Sequence, residues 1–244
     1  VCVVGDFILD EYITCEALGM SQEDPSLVVT PLDQRRFIGG AGIVSAHAAN
    51  LGASSTLITV MGRDSAADFS TARLKEYGVS INVVYDESRP TTLKQRFRAD
   101  GRTLLRVSHL MQTSISLALQ KEFTSRLHRS IASSDLVVFS DFNYGCLPQP
   151  LVDVCSELAQ KHDLVQIADS QCSSQVGDIS RFRNMSLIAA TEREARISLR
   201  DNDIGLSVIA EKLRQRSNAN NIIIKLGADG SLLHLETESN RRQT

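Results

Sequence analysis

The sequence predicts an α/β fold: a doubly wound, mostly parallel sheet flanked by helices, with a small β-sheet lid. Three observations predict it. Short apolar runs rich in β-branched residues alternate with stretches of helical period, the sign of parallel strands joined by crossover helices. Two segments, Glu11 to Arg36 and Ile81 to Ser108, break that rhythm. The composition is that of one large globular unit, with 42% of 244 residues hydrophobic, 23% charged and a net charge of −3, which argues against disorder.

In chain order, Val1 to Gly5 is a buried strand, a continuous apolar run closed by glycine. Glu11 to Arg36 follows without a helical period. A helix over Gly42 to Leu51 contains Ala46, Ala48 and Ala49; the buried strand Thr56 to Met61 and the helix Ser65 to Tyr77 come next. Ile81 to Tyr85, Thr92 to Ala99 and Thr103 to Val107 alternate polar and apolar residues, so each has one wet face, and Asp100-Gly101 marks a hairpin turn. Consecutive strands with no helices between them cannot be crossover units, which assigns them to a small separate sheet. The alternation then resumes with helices over Ser114 to Ile131, Pro148 to Lys161, Glu192 to Leu199 and Ile204 to Arg216. Strands over Asp135 to Ser140, Leu164 to Asp169, Ser186 to Ala190 and Asn221 to Leu226 lie among them. The expected division is a core of residues 1–10, 37–80 and 109–244 and a lid of residues 11–36 and 81–108. The chain opens at Val1 inside a strand and closes in a polar stretch, so a longer protein, truncated here at its C-terminus, is expected.

Several function classes are disfavoured. With 26 Lys+Arg against 29 Asp+Glu and no basic run, there is no electrostatic footprint for nucleic acid or an anionic membrane. No apolar stretch reaches the 18 or so residues of a membrane span. Five cysteines, Cys2, Cys15, Cys146, Cys155 and Cys172, are odd in number and contain no Cys-x-x-Cys pair, which suits a reducing cytoplasm better than a disulfide framework. The five histidines show no zinc spacing, no Gly-x-Ser-x-Gly elbow occurs, and there is no P-loop.

Five places could carry chemistry. Asp6 and Asp10 lie at and just past the end of the first strand, where a carboxylate can accept hydrogen bonds from substrate hydroxyls; the alternative is a turn at Asp6 with Asp10 solvated. Gly39-Gly40 precede a helix, allowing close backbone approach to a ligand or simply making a turn. Lys94, Arg96 and Arg98 fall on one face of a strand, where three cations need water or an anion between them; a solvated edge strand would look the same. Thr191 and Glu194 have the spacing of a helix capping box. Lys225 to Gly230 reads as a strand, a glycine turn and the start of a return strand.

Taken in order, these features resemble the ribokinase-like (PfkB) family of sugar kinases over essentially the whole chain. Within it the sequence is most similar to the heptose 7-phosphate kinase domain of the bacterial ADP-heptose pathway. The likeness rests on Gly5-Asp-Phe-Ile-Leu-Asp10, Ser21-Gln-Glu-Asp-Pro-Ser-Leu-Val-Val29, Arg89-Pro-Thr-Thr-Leu-Lys-Gln-Arg96 followed by Leu104-Leu-Arg106, and Ser140-Asp-Phe-Asn-Tyr-Gly145. The resemblance implies ATP and Mg²⁺ as cofactors, a small sugar or sugar phosphate as acceptor, and a homodimer formed through the lid. It implies that Asp6 and Asp10 hold sugar hydroxyls, that Gly39 and Gly40 back the sugar, and that Lys94 and Arg106 contact the acceptor phosphate. Asp169, Thr191, Glu194, Lys225, Gly227 and Gly230 would border the nucleotide, with Glu194 organising magnesium through water. Ile43, Thr191 and Asp169-Ser-Gln171 depart from the family pattern. The family's Gly-Ala-Gly-Asp motif, which carries the general base, is expected beyond residue 244. The alternatives are a non-catalytic sugar-phosphate-binding subunit, or a kinase for a neutral sugar or nucleoside.

Overall fold

The computed structural model describes residues 1–171 and 177–236; Cys172 lies outside them. The first strand, β1 (Cys2–Gly5), is followed by a long antiparallel pair, β2 (Phe7–Met20) and β3 (Leu27–Gly39), and by helix α1 (Gly40–Asn50). Next come β4 (Thr56–Met61), α2 (Ser65–Glu76), β5 (Ser80–Tyr85), β6 (Leu93–Ala99) and β7 (Arg102–His109). The second half runs through α3 (Leu117–Ile131), β8 (Leu136–Asp141), α4 (Gln149–Lys161), β9 (Val165–Ser170), β10 (Leu187–Thr191) and α5 (Glu192–Leu199). It closes with α6 (Leu206–Ser217), β11 (Asn221–Lys225) and β12 (Ser231–His234).

Eight strands form one sheet in the order β12-β11-β10-β9-β8-β1-β4-β5, and four form a second in the order β3-β2-β6-β7. Within the large sheet every pairing is parallel except β11 with β12. Both faces are covered. Val3, Leu57 and Val83 pack with Ala46 of α1 and Leu74 of α2. Cys2, Val4, Ile58 and Phe139 pack with Phe123 and Leu127 of α3 and Leu151 of α4. A strand buried on both faces must be apolar at every position, which is why Cys2 to Val4 is an unbroken apolar run.

One expectation is corrected. Ile81 to Tyr85 belongs to the large sheet, where it pairs in parallel with β4 from Thr56↔Ser80 to Met61↔Tyr85. Helix α2 lies between these two strands, so β4-α2-β5 is an ordinary crossover, and the alternation in β5 reflects an edge position with one partly wet face. The small sheet begins only after the turn that follows β5.

Parallel strands put their carboxyl ends on one edge. From one side to the other that edge presents Lys225, Thr191, Ser170, Asp141 and Gly5, and the small sheet rises from the β1 end of the row.

Candidate active site

The site is built along this edge. At its centre Asp6 directly follows β1 and is 3% exposed. Its Oδ2 accepts the backbone N–H of Phe142 (2.7 Å) and Tyr144 (3.3 Å), and its Oδ1 that of Cys146 (3.2 Å). Its own backbone donates to the Ser140 carbonyl and accepts from Ala41 N at the start of α1. Asp6 therefore does not face a sugar, as the resemblance implied; its carboxylate is taken up in shaping the 142–146 loop. Burial, and then the neighbouring charge of Asp141, push its pKa up to about 6, against the pull of the three N–H donors. Asp141 is itself 2% exposed and neutralised by Arg181 Nη2 at 2.8 Å, with Ser170 Oγ also donating to it.

Asp10, by contrast, is a partly exposed carboxylate on the other face of the next strand. Residues of β2 alternate, placing Leu9, Glu11 and Ile13 on the buried face and Asp10, Tyr12 and Thr14 on the other. Asp10 pairs in register with Lys94, and Tyr12 with Arg96. Arg96 donates from Nη1 to Asp10 Oδ1 and lies 5.1 Å from the centre of the Tyr12 ring. The cationic stripe is thus partly neutralised by protein: Arg96 serves Asp10. A Cβ at Gly39 would lie 2.5 Å from Asp10 Oδ2, so a side chain there would displace the Asp10 carboxylate. Gly40 has φ +56° and a Cβ would strike the Asp6 carbonyl. The glycine pair therefore makes room for Asp10 and for the close approach of α1.

Lys94 has an unusual setting. Its Nζ lies 5.6 Å from the Phe142 ring centre and 5.0 Å from that of Tyr144, two rings that stack at 6.2 Å and 29°. Aromatic faces hold an ammonium without neutralising it. Arg106, in register with Arg96 on β7, is exposed and has no ion-pair partner among the described residues. Arg89 fixes the hinge before β6: it pairs with Asp86 at 2.7 Å and donates to the carbonyls of Tyr144 and Thr113, each at 3.1 Å.

The other expected residues gather at the far end of the edge. Thr191 and Glu194 form a complete capping box, with Thr191 N donating to Glu194 Oε2 (2.7 Å) and Glu194 N donating to Thr191 Oγ1 (3.2 Å). Lys225 Nζ reaches across β10 to both oxygens of Asp169, at 2.9 and 2.7 Å. Gly227 and Gly230 bound the tight turn between β11 and β12. Thr191, Arg193, Ile197, Lys225, Leu226 and Gly227 line an open groove of about 550 Å³. Among the described residues no three His, Cys, Asp or Glu side chains cluster as a metal cage. The sequence reading missed Phe142, Tyr144, Arg89 and the Asp141–Arg181 pair as individual contributors, although the first three lie in the stretches that carried the resemblance.

The edge thus has the Asp10, Lys94 and Arg96 face of the small sheet at one end and a groove at a helix N-terminus at the other, with the buried carboxylates Asp6 and Asp141 between. This is the layout of a two-substrate transferase on an open α/β sheet. Residues 1–243 match the pfkB family carbohydrate kinases, and the chain belongs to that family. It is 29% identical over 238 residues to the bifunctional protein HldE of Desulfatibacillum aliphaticivorans, covering 96% of this chain and 48% of that protein. It is 33% identical over 197 residues to the D-beta-D-heptose 7-phosphate kinase of Bordetella bronchiseptica, covering 80% of this chain and 60% of that one. The chain spans about half the length of the bifunctional relatives it matches. Among solved structures, Escherichia coli phosphofructokinase-2 in complex with fructose-6-phosphate superposes with a TM-score of 0.75 at 16% identity, covering 98% of this chain and 77% of that one. Arabidopsis thaliana ribokinase complexed with ribose and ATP gives 0.71 at 16% identity, covering 96% and 74%. These likenesses establish the ribokinase-like fold.

Asp6 gives a pH signature. Because its folded pKa is raised, its contribution to stability is full below the unfolded value near 4 and is lost as pH rises through about 6. Glu11, Asp64 and Asp86 have lowered values and act in the opposite sense, below about pH 4.5. Thermal melts between pH 4.5 and 6.5 should therefore show the melting temperature falling with pH in the native protein. The slope should flatten in Asp6→Asn; an equal slope in both would remove Asp6 as its source.

Proposed function

We propose that this chain is the kinase part of a protein that transfers a phosphoryl group from ATP to a hydroxyl of a sugar phosphate. The best candidate acceptor is the anomeric hydroxyl of D-glycero-D-manno-heptose 7-phosphate. The observation that carries this reading is the acceptor pocket, which pairs a hydroxyl-binding carboxylate with cations left free of carboxylate partners. Asp10, oriented by Arg96, would accept hydrogen bonds from sugar hydroxyls, backed by Gly39 and Gly40. Lys94 and Arg106 would take the acceptor phosphate. The heptose kinase and HldE similarities support this choice of acceptor over a neutral sugar.

The far groove suits the nucleotide. Lys225 and the turn bounded by Gly227 and Gly230 offer a cation and backbone donors to phosphate oxygens, and the N-terminal end of α5 adds its dipole. The donor set fits a magnesium ion carried mainly by phosphates and water, since Mg²⁺ seldom needs a protein cage; Glu194 would hold its water shell. The bound metal would supply neutralisation of the charge on the transferring phosphoryl group. The chain's own residues orient the acceptor and, with the lid, exclude water.

The protein would work in the cytoplasm as a homodimer through the lid. Leu18, Met20 and Leu32 are 60%, 64% and 64% exposed on the outer part of that sheet, which supports an apolar partner surface there. Sedimentation velocity should give a dimer, converted to monomer by Leu32→Glu; a native monomer at micromolar concentration would exclude it.

Activity is tested by ADP release from ATP and Mg²⁺ with heptose 7-phosphate, fructose 6-phosphate, ribose and adenosine, using the longest natural form of the protein. Turnover confined to phosphorylated sugars is expected. Lys94→Met should weaken the phosphorylated acceptor by about 1.5–3 kcal/mol, the range for a charge-assisted hydrogen bond, without changing ATP affinity. Turnover of ribose or adenosine alone would overturn the acceptor assignment. Acceptor binding without turnover would indicate a sugar-phosphate-binding subunit.

A further inference from the structure

The buried face of the small sheet carries a charge of its own. Glu11 is 1% exposed and lies between Leu9 and Ile13 on an otherwise apolar strand face. An unpaired carboxylate there would be strongly destabilising, and three side chains meet it. Arg36 Nε donates to Oε1 at 2.7 Å, Gln34 Nε2 donates to the same oxygen, and Gln95 Nε2 donates to Oε2. These donors hold its pKa below the usual carboxylate range although burial alone would raise it.

The connections continue outward on both sides. Gln95 Oε1 is 3.2 Å from His109 Nε2 on β7, and the Arg36 guanidinium lies 5.4 Å from the ring centre of Phe69 on α2. Phe69, Arg36, Glu11, Gln95 and His109 thus form one transverse brace crossing all four lid strands, with one end on the core. Arg36 and Gln95 are the register partners of Glu11 on its two sides. The adjacent rows on the opposite face are Phe37-Asp10-Lys94 and Arg35-Tyr12-Arg96. Strand side chains alternate with period two, so a one-residue slip would exchange the faces. Farther out the β2–β3 ladder shifts register at Thr14/Cys15 and again at Ala17/Gly19, and β6–β7 shifts at Phe97/Arg98. The brace crosses the regular part of the sheet just before those irregularities.

We infer that Glu11 is a positioning residue for the acceptor: through Arg36, Gln34 and Gln95 it fixes the register and the core attachment of the strands that present Asp10, Lys94 and Arg96. The consequence for the acceptor rests on reading that face as the acceptor pocket; the mechanical role does not.

The test is hydrogen–deuterium exchange on the full chain, paired with calorimetric titration of heptose 7-phosphate and, separately, ATP. Glu11→Gln keeps the side-chain shape but removes the charge and turns an NH2 group either toward Gln95 or toward the Arg36 and Gln34 donors. Exchange across residues 9–14, 34–38 and 93–97 should quicken about tenfold, and the acceptor Kd should rise about tenfold, as expected for lost hydrogen bonds to a charge. Exchange in β1, β4 and β8 and the ATP Kd should stay unchanged. Gln95→Leu, which cuts the side-chain links from Glu11 to β6 and from β6 to β7 but leaves Arg36 and Gln34 in place, should give a smaller change of the same kind and serves if Glu11→Gln does not fold. Wild-type exchange in both variants, or an equal loss of ATP affinity, would overturn the inference. If the unaltered protein binds no sugar phosphate, the proposed acceptor fails, and the exchange comparison alone decides the brace.

Discussion

The part of the site proposed for the acceptor depends on the burial of one carboxylate. Asp6 stands where β1 ends, and its two oxygens gather the backbone N–H groups of residues 142, 144 and 146 while its own backbone joins β8 and α1. A loop with its N–H groups turned inward must have an acceptor there, because buried donors left unpaired cost about 1–3 kcal/mol each. The conformation so imposed presents Phe142 and Tyr144 toward the lid, and their rings meet Lys94. Asp6 thus acts on Lys94 at one remove, through the loop it shapes.

The lid is held to the body by side-chain cations on its two faces. Lys94 lies against the aromatic loop on one face, and Arg36 lies against Phe69 of α2 on the other. Such contacts contribute about 0.5–2 kcal/mol each. The carboxylates near them are already committed, Asp10 to Arg96 and Glu11 to Arg36. At the far end of the edge Lys225 is paired with Asp169 through half-exposed groups, a contact that solvent weakens.

Much of this was legible in the sequence. The alternation of apolar runs and helical periods placed the parallel strands, because strands covered on both faces read as nearly continuous apolar runs with few polar positions to blur the signal. The same rule explains the error at Ile81 to Tyr85: an edge strand alternates as a lid strand does, and only the helix before it tells them apart. Asp10, Gly39 and Gly40, expected together from the sequence, do lie side by side, because β2 and β3 pair in register there. Asp6 was given a sugar-binding task because a carboxylate at a strand end looks the same whether it meets a ligand or three N–H groups more than 130 residues away in sequence. The Thr191/Glu194 capping box was readable since all its partners are local. Glu11 did leave a trace, a carboxylate at an apolar-face position between Leu9 and Ile13, but its partners lie on two other strands and only the fold brings them together.

The central claim is that a residue touching no acceptor organises the acceptor pocket. Its most direct test is calorimetric titration of heptose 7-phosphate into Asp6→Asn and Asp10→Asn, with circular dichroism confirming that both are folded. Both variants should lose acceptor affinity while retaining that for ATP. Wild-type acceptor affinity in folded Asp6→Asn, alongside its loss in Asp10→Asn, would contradict the account.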